Sequence, residues 1–211
     1  MPLFPTTLLP VPLTPEISLY LADAPVGLFD LTGGEFRSDE PPPFWAFVWA
    51  GGQALARYVL DHPDEVRGRT VLDLAAGSGV AAVAAAKAGA AAVTAVDLDH
   101  NATAAIRRNA TANDVTVTAA TMDVADSPTT DVLLAGDVFY SPTVAVRMAG
   151  VLRERARRGA RILVGDPGRG YFPERLFARV AEYVVPVPAA LEETESMLTG
   201  VYEIRATIGG R

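Results

Sequence analysis

The chain has 211 residues, half of them hydrophobic and a fifth charged, with a formal net charge of −7. That length and balance suit one globular domain with a full core, and the acidic charge argues against a nucleic-acid partner, which usually meets a basic footprint. With no cysteine and only His62 and His100 as histidines, disulfides, thiolate metal sites and a cysteine nucleophile are excluded, and no metal site is expected.

Residues 1–13 are apolar but broken by Pro2, Pro5, Pro10 and Pro12, without a basic leader or a small-residue cleavage site. This does not read as a signal peptide. No uninterrupted apolar stretch of about 18 residues exists to cross a membrane. A cytoplasmic protein with no membrane partner is the expectation. Ile17, Leu19 and Leu21 alternate with Ser18, Tyr20 and Ala22, which predicts a short strand. A second strand is predicted over residues 27–32, ended by Gly33-Gly34. Residues 1–43 thus read as an N-terminal β extension, and residues 44–211 as a catalytic core within one domain. Residues 44–49 are densely aromatic, and residues 52–61 predict a helix that His62-Pro63 ends.

From there strands and helices alternate. Strands are predicted over 70–75, 92–97, 115–119, 131–136, 161–165, 184–187 and 201–208. Helices are predicted over 80–88, 102–113, 144–158 and 173–181. The strands are almost wholly apolar, so the pattern specifies an α/β fold: a doubly wound, mostly parallel seven-stranded sheet covered on both faces. The alanines between 81 and 92 read as compositional bias toward the best helix former. The arginines at 153, 155, 157, 158 and 161 read as a solvated helix face.

Ligands in such folds bind beyond the carboxyl ends of the strands, where the strand order reverses. The first of these ends reads Val71-Leu72-Asp73-Leu74-Ala75-Ala76-Gly77-Ser78-Gly79. Gly77 and Gly79 let a ligand approach the backbone and turn the chain into a helix. A carboxylate such as Asp73 repels a pyrophosphate and attracts a cation, and the dinucleotide fingerprint is absent. S-adenosylmethionine, with its sulfonium and ammonium, fits. Asp97, with Leu98 beside it, ends the next strand, where an acid accepts from ribose hydroxyls. Asp99 suits a helix cap instead. In Thr121-Met122-Asp123, Met122 is placed against an adenine ring and Asp123 at its amino group, with a polar loop residue as the alternative for Asp123. Gly136-Asp137-Val138-Phe139-Tyr140 faces the point where a transferred methyl would sit. A lysine amine, with a pKa near about 10.4, loses about 4 kcal/mol in being deprotonated at neutral pH. Asp137 and Tyr140 are candidates to orient such an amine and take its proton. Trp49, Gly52 and Gln53 are placed at the cofactor mouth, while Asp166 and Arg169, in Gly165-Asp166-Pro167-Gly168-Arg169, are candidates for substrate contact.

Taken together, Pro43-Phe44-Trp45-Ala46-Phe47, Trp49-Ala50-Gly51-Gly52-Gln53-Ala54-Leu55, the 71–79 turn, the 136–140 motif and the 165–169 turn resemble the electron transfer flavoprotein β-subunit lysine methyltransferases and their bacterial relatives. These are Rossmann-like, class I seven-strand methyltransferases with an Asp-x-x-Tyr motif. The resemblance runs from about residue 17 to the last strand. It implies a protein substrate presenting a lysine, an acceptor motif at Asp137 and Tyr140, and S-adenosylmethionine held by Asp73, Gly77, Gly79 and Asp97. Where the wider superfamily often has glycine, this chain has Ala75, a change expected to cost little if the local φ is negative. Two other readings remain at this point: a small-molecule N-methyltransferase, and a non-catalytic module that binds the cofactor.

Overall fold

The computed structural model describes residues 5–22, 42–188, 192 and 194–205. The strand predicted over 27–32 lies outside them. The chain opens with an antiparallel pair, β1 (Thr7–Pro10) and β2 (Ser18–Leu21). There follow α1 (Ala50–Asp61), β3 (Thr70–Leu74), α2 (Val80–Lys87), β4 (Ala92–Asp97), α3 (His100–Ala112) and β5 (Thr118–Thr121). The remainder is β6 (Val132–Gly136), α4 (Pro142–Arg157), β7 (Arg161–Asp166), β8 (Phe177–Pro186) and β9 (Ser196–Ile204). Seven strands form one sheet in the order β5-β4-β3-β6-β7-β9-β8. β5 through β7 run parallel, and β9 runs antiparallel to both its neighbours. The doubly wound, mostly parallel sheet is as expected, and its order reverses between β3 and β6.

The strand pleat sorts the core into two layers. Val71, Val132, Leu134 and Leu163 face α1 and α2. Their chain neighbours Leu72, Leu133, Ile162 and Val164 face Met148 and Leu152 of α4. This is the period of two that strands impose. The alanines of α2 are more than compositional bias: Ala81, Ala82, Ala84 and Ala85 are all buried. Their small side chains let the helix sit closely on the sheet and on α1. Helix starts follow local chemistry. Asp99 caps α3 by accepting from Asn101 N, and Ser141 caps α4 ahead of Pro142.

Two expectations need correction. The helix predicted over 173–181 is a short 3₁₀ turn, Glu174–Leu176, followed by the strand β8. A bulge between Arg179 and Ala181 inserts an extra residue into β8. It breaks the alternation, so Phe177, Val180 and Ala181 mimic helical spacing. The arginine run is also not uniformly solvated. Arg155 is buried and donates to the Ser127 carbonyl and hydroxyl and to the Val124 carbonyl, anchoring the loop before β6.

The N-terminal hairpin is fastened to α3 by amide side chains. Asn109 Oδ1 accepts from Tyr20 N at 2.8 Å, and Asn113 both accepts from Ser18 N and donates to Ser18 O. They serve the edge of β2 as a neighbouring strand would.

Candidate active site

The carboxyl ends of β3, β4, β6 and β7 meet the start of α1. The approach is made at backbone distance by four glycines. A Cβ on Gly136 would lie 2.8 Å from Gly52 N, and a Cβ on Gly51 or Gly165 would strike the other's carbonyl group. These contacts explain why the 49–53 stretch and the strand ends at 136 and 165 need glycine. They leave a cleft of about 350 Å³, part of it open to solvent. Trp49, Gly52, Asp73, Ala75, Gly77, Gly136 and Asp137 line it, so the structure brings together seven of the expected residues. Ala76, Ser78, Val80 and Ala81 complete the wall.

On the β3 side, Asp73 is 2 % exposed and its Oδ2 accepts from Ala82 N at 2.9 Å. It thus caps α2 from the neighbouring strand, because Gly79 at the helix start has no side chain to do so. Burial pushes Asp73 up to about 8; the Ala82 N–H opposes this and the charge of Asp97 adds to it. Asp97 Oδ2 accepts from Gly77 N at 2.9 Å and Oδ1 from Asp99 N at 3.0 Å, which ties the glycine turn to the end of β4. Burial raises Asp97 as well, against these N–H groups. A Cβ on Gly77 would enter open space, so that turn offers bare backbone to a ligand. Leu98 is 67 % exposed beside Asp97, and Met122 donates its N–H to the Asp97 carbonyl while packing into the α4-side core.

Four expectations about this side change. Ala75 has φ of +51°, so the residue standing where glycine is common bears left-handed strain. Gln53 is fully buried, and its amide bonds Leu13 N, Val48 O and Pro186 O. It ties the N-terminal segment to the β8 end rather than facing the cleft. Gly79, at φ +79°, shapes the turn against Ile106 and does not line the cleft. Asp123 caps a 3₁₀ turn at Ala125 N and pairs with Arg147, the polar loop role held as its alternative.

On the β6 side, Asp137 also has a left-handed backbone, at φ +54°. Its Oδ2 accepts from Gly52 N at 3.1 Å, and its Oδ1 from Arg169 Nη2 at 3.0 Å and Nε at 3.3 Å. Burial pushes Asp137 up to about 6; Arg169 works against the rise and Asp166 adds to it. Tyr140 is 59 % exposed, with burial and the charge of Asp97 both raising its phenol. Asp166 is fully buried, and its Oδ1 accepts from Gly168 N and Arg169 N. It therefore shapes the turn that carries Arg169 and offers no surface to a substrate. Sequence reasoning missed Glu192, whose Oε1 lies 2.8 Å from Arg169 Nη2. Glu192 sits in no motif, and the only signal was an acidic pair between two apolar strands.

The residues fit S-adenosylmethionine by their chemistry. A buried acid with no cationic partner among the described residues stands beside a bare glycine turn, and a second acid closes the next strand. When bound, that group supplies an electrophilic methyl on a sulfonium.

The model of the family described as ribosomal protein L11 methyltransferase (PrmA) matches residues 53–153. The electron transfer flavoprotein beta subunit lysine methyltransferase of Danio rerio is 39% identical over 182 residues, which cover 82% of this chain and 70% of that protein. The protein of the same name from Rattus norvegicus is 36% identical over 170 residues, covering 76% of this chain and 66% of its own length. Among solved structures, the magnesium protoporphyrin IX methyltransferase of Synechocystis PCC 6803 with bound SAM superposes with a TM-score of 0.53 at 16% identity, over 73% of this chain and 79% of that one. At that identity the likeness speaks for the fold. The chain belongs to the electron transfer flavoprotein beta-subunit lysine methyltransferase family and is an S-adenosylmethionine-dependent methyltransferase of the Rossmann-like α/β fold.

Proposed function

We propose that this protein methylates the side-chain amine of a lysine in a protein substrate, with the electron transfer flavoprotein β subunit as the first candidate acceptor. The observation that carries the reading is Asp137, which lines the same cleft as Asp73 and Gly77 and is followed three residues on by the exposed Tyr140. The names of the relatives add the acceptor class. The exposure of Tyr140 and Leu98 suits an acceptor that arrives on a protein surface better than a small molecule enclosed in an apolar cavity.

In this reading residues 44–211 are the catalytic core and residues 1–43 its N-terminal extension. Asp73 and Gly77 would hold the amino-acid end of the cofactor. Asp97 would receive the ribose hydroxyls, with Leu98 and Met122 the candidates for the base. Trp49, Gly52 and Gly136 close the wall toward the acceptor. Asp137 orients the incoming amine and accepts its proton. S-adenosylmethionine, when bound, would supply the electrophilic methyl, and the amine relieved of its proton by Asp137 would receive it. Deprotonating a lysine at neutral pH costs about 4 kcal/mol, and in-line positioning supplies much of the remaining rate. A cytoplasmic site of action is part of the same proposal; among the described residues no helix is long and apolar enough to cross a membrane.

The test is incubation with tritiated S-adenosylmethionine and a lysate of the source cells, resolved on a gel. A discrete labelled protein, with the label mapped to lysine by mass spectrometry, is expected. Label confined to small molecules would transfer the assignment to a small-molecule N-methyltransferase, and absence of label despite cofactor binding would leave a binding module.

A further inference from the structure

We propose that Arg169 is the positioning residue for Asp137, held by Glu192 and by the Asp166 turn so that Asp137 stays ionised in the cleft it lines. The inference rests on the reading of Asp137 as the acceptor-side carboxylate. Its basis is the division of labour around that side chain. Oδ2 is fixed by Gly52 N at the start of α1, whereas Oδ1 faces the fork of Arg169 Nε and Nη2. The same Nη2 reaches Glu192 Oε1 at 2.8 Å, and the guanidinium lies 5.8 Å from the centre of the Trp49 ring. The Asp137 and Glu192 side chains are each 11% exposed and that of Arg169 21%. Solvent does little to screen so enclosed a triad.

The backbone of Arg169 is set in advance. Asp166 Oδ1 takes the N–H groups of Gly168 and Arg169, both at 2.8 Å, and Gly168 turns at φ +86°. The other oxygen of Asp166 is buried without a partner. Burial raises Asp166, and whatever charge it carries lies near Asp137 and opposes ionisation there. The charged groups facing Asp137 are therefore Arg169 and the N-terminus of α1, which favour the carboxylate, and Asp166, which disfavours it. Glu192 acts through Arg169. Without the guanidinium, burial and Asp166 would leave the acid protonated at neutral pH and unable to take a proton from an amine. The cation has a second effect. It disfavours the ammonium form of an arriving lysine and so favours the amine, which is the nucleophile.

Two substitutions with opposite expected signs test this. Carbon-13 NMR would follow the aspartate carboxyls against pH, with the Asp137 signal assigned by its loss in Asp137→Asn. In Arg169→Gln the Asp137 midpoint should move up by about one to three pH units. In Asp166→Asn, whose amide oxygen keeps the two turn hydrogen bonds, the midpoint should move down. Arg169→Lys retains the charge and guards against a fold defect; its midpoint should lie between those of the wild type and Arg169→Gln. An unmoved midpoint in both Arg169 variants, or shifts of the same sign in Arg169→Gln and Asp166→Asn, would overturn the proposal. So would a fall in KM for the protein acceptor with an unreduced kcat in Arg169→Gln, because Arg169 would then merely obstruct the acceptor. The titration requires no substrate. A shifted midpoint without methyl transfer would contradict the functional reading alone, and transfer with an unmoved midpoint would contradict the role of Arg169 alone.

Discussion

The two ends of the same sheet treat carboxylates in opposite ways. At the amino ends of β3, β6 and β7, Glu65 takes the Arg161 guanidinium through both oxygens and the Tyr58 hydroxyl at 3.0 Å, while Asp131 Oδ2 accepts from Thr70 N and Oγ1. Burial works against Glu65, but Arg161 and Tyr58 outweigh it and its pKa falls. The Thr70 N–H and hydroxyl lower Asp131. At the carboxyl ends, burial raises Asp73, Asp97, Asp137 and Asp166. The acids at one end hold the fold together. Those at the other are held against burial, and a bound cationic ligand is expected to relieve this at Asp73. Two left-handed non-glycine residues, Ala75 and Asp137, lie at the carboxyl end, while a third, Asp114, lies ahead of β5.

The largest expected effect lies in Asp137→Asn. Asparagine tolerates the left-handed backbone and keeps an oxygen for Gly52 N, so the fold and cofactor affinity should survive. Methyl transfer should fall by about 10²–10⁴-fold, measured as initial rates beside the S-adenosylmethionine dissociation constant. Equal losses in both would mean that Asp137 serves the cofactor site.

Next comes a contrast between glycines. Gly51→Ala drives a Cβ into the Gly165 carbonyl and toward Asp137 Oδ2 and should destabilise the protein by about 1–3 kcal/mol. Gly150→Ala, in the middle of α4 with open space around it, should stabilise it by about 1 kcal/mol. Chemical denaturation of the two variants checks both signs, and an unaffected Gly51→Ala would remove the close-packed glycines from the account.

The smallest effect is that of Ala75→Gly. Relief of the left-handed strain is partly offset by the entropy that glycine adds to the unfolded chain, so a gain of at most about 1 kcal/mol is expected in thermal melts. A loss of stability would contradict the positive φ.

Much of the carboxyl edge was legible because strand ends are readable. The alternation of apolar strands and helices located Asp73, Asp97, Asp137 and Asp166, and the glycines of the turn marked where backbone is bare. What was hidden depends on tertiary partners. Gln53 sits in a distinctive motif, yet its amide turns toward Leu13 and Pro186, which are distant in sequence. The strain at Ala75 depends on the sign of one dihedral angle, which composition does not encode. The strand β8 was masked by its own bulge. Glu192 matters through a single ion pair with Arg169, and that pairing exists only once the turn at Asp166 is folded.

The central claim, that the carboxyl edge is held destabilised for a cationic cofactor, has a direct calorimetric test. Burial places Asp73 at about 8 in the unliganded protein, above its ordinary 3.8. A carboxyl raised in this way contributes stability below its unfolded value and loses that contribution as pH rises through the folded one. The unliganded protein should therefore weaken as pH climbs toward 8, and a bound cation should drive the proton from Asp73. S-adenosylmethionine would be titrated into the protein near neutral pH in two buffers of different ionisation enthalpy. Net proton release that disappears in Asp73→Asn is the predicted result. Identical enthalpies in both buffers, or proton release that survives in Asp73→Asn, would contradict it.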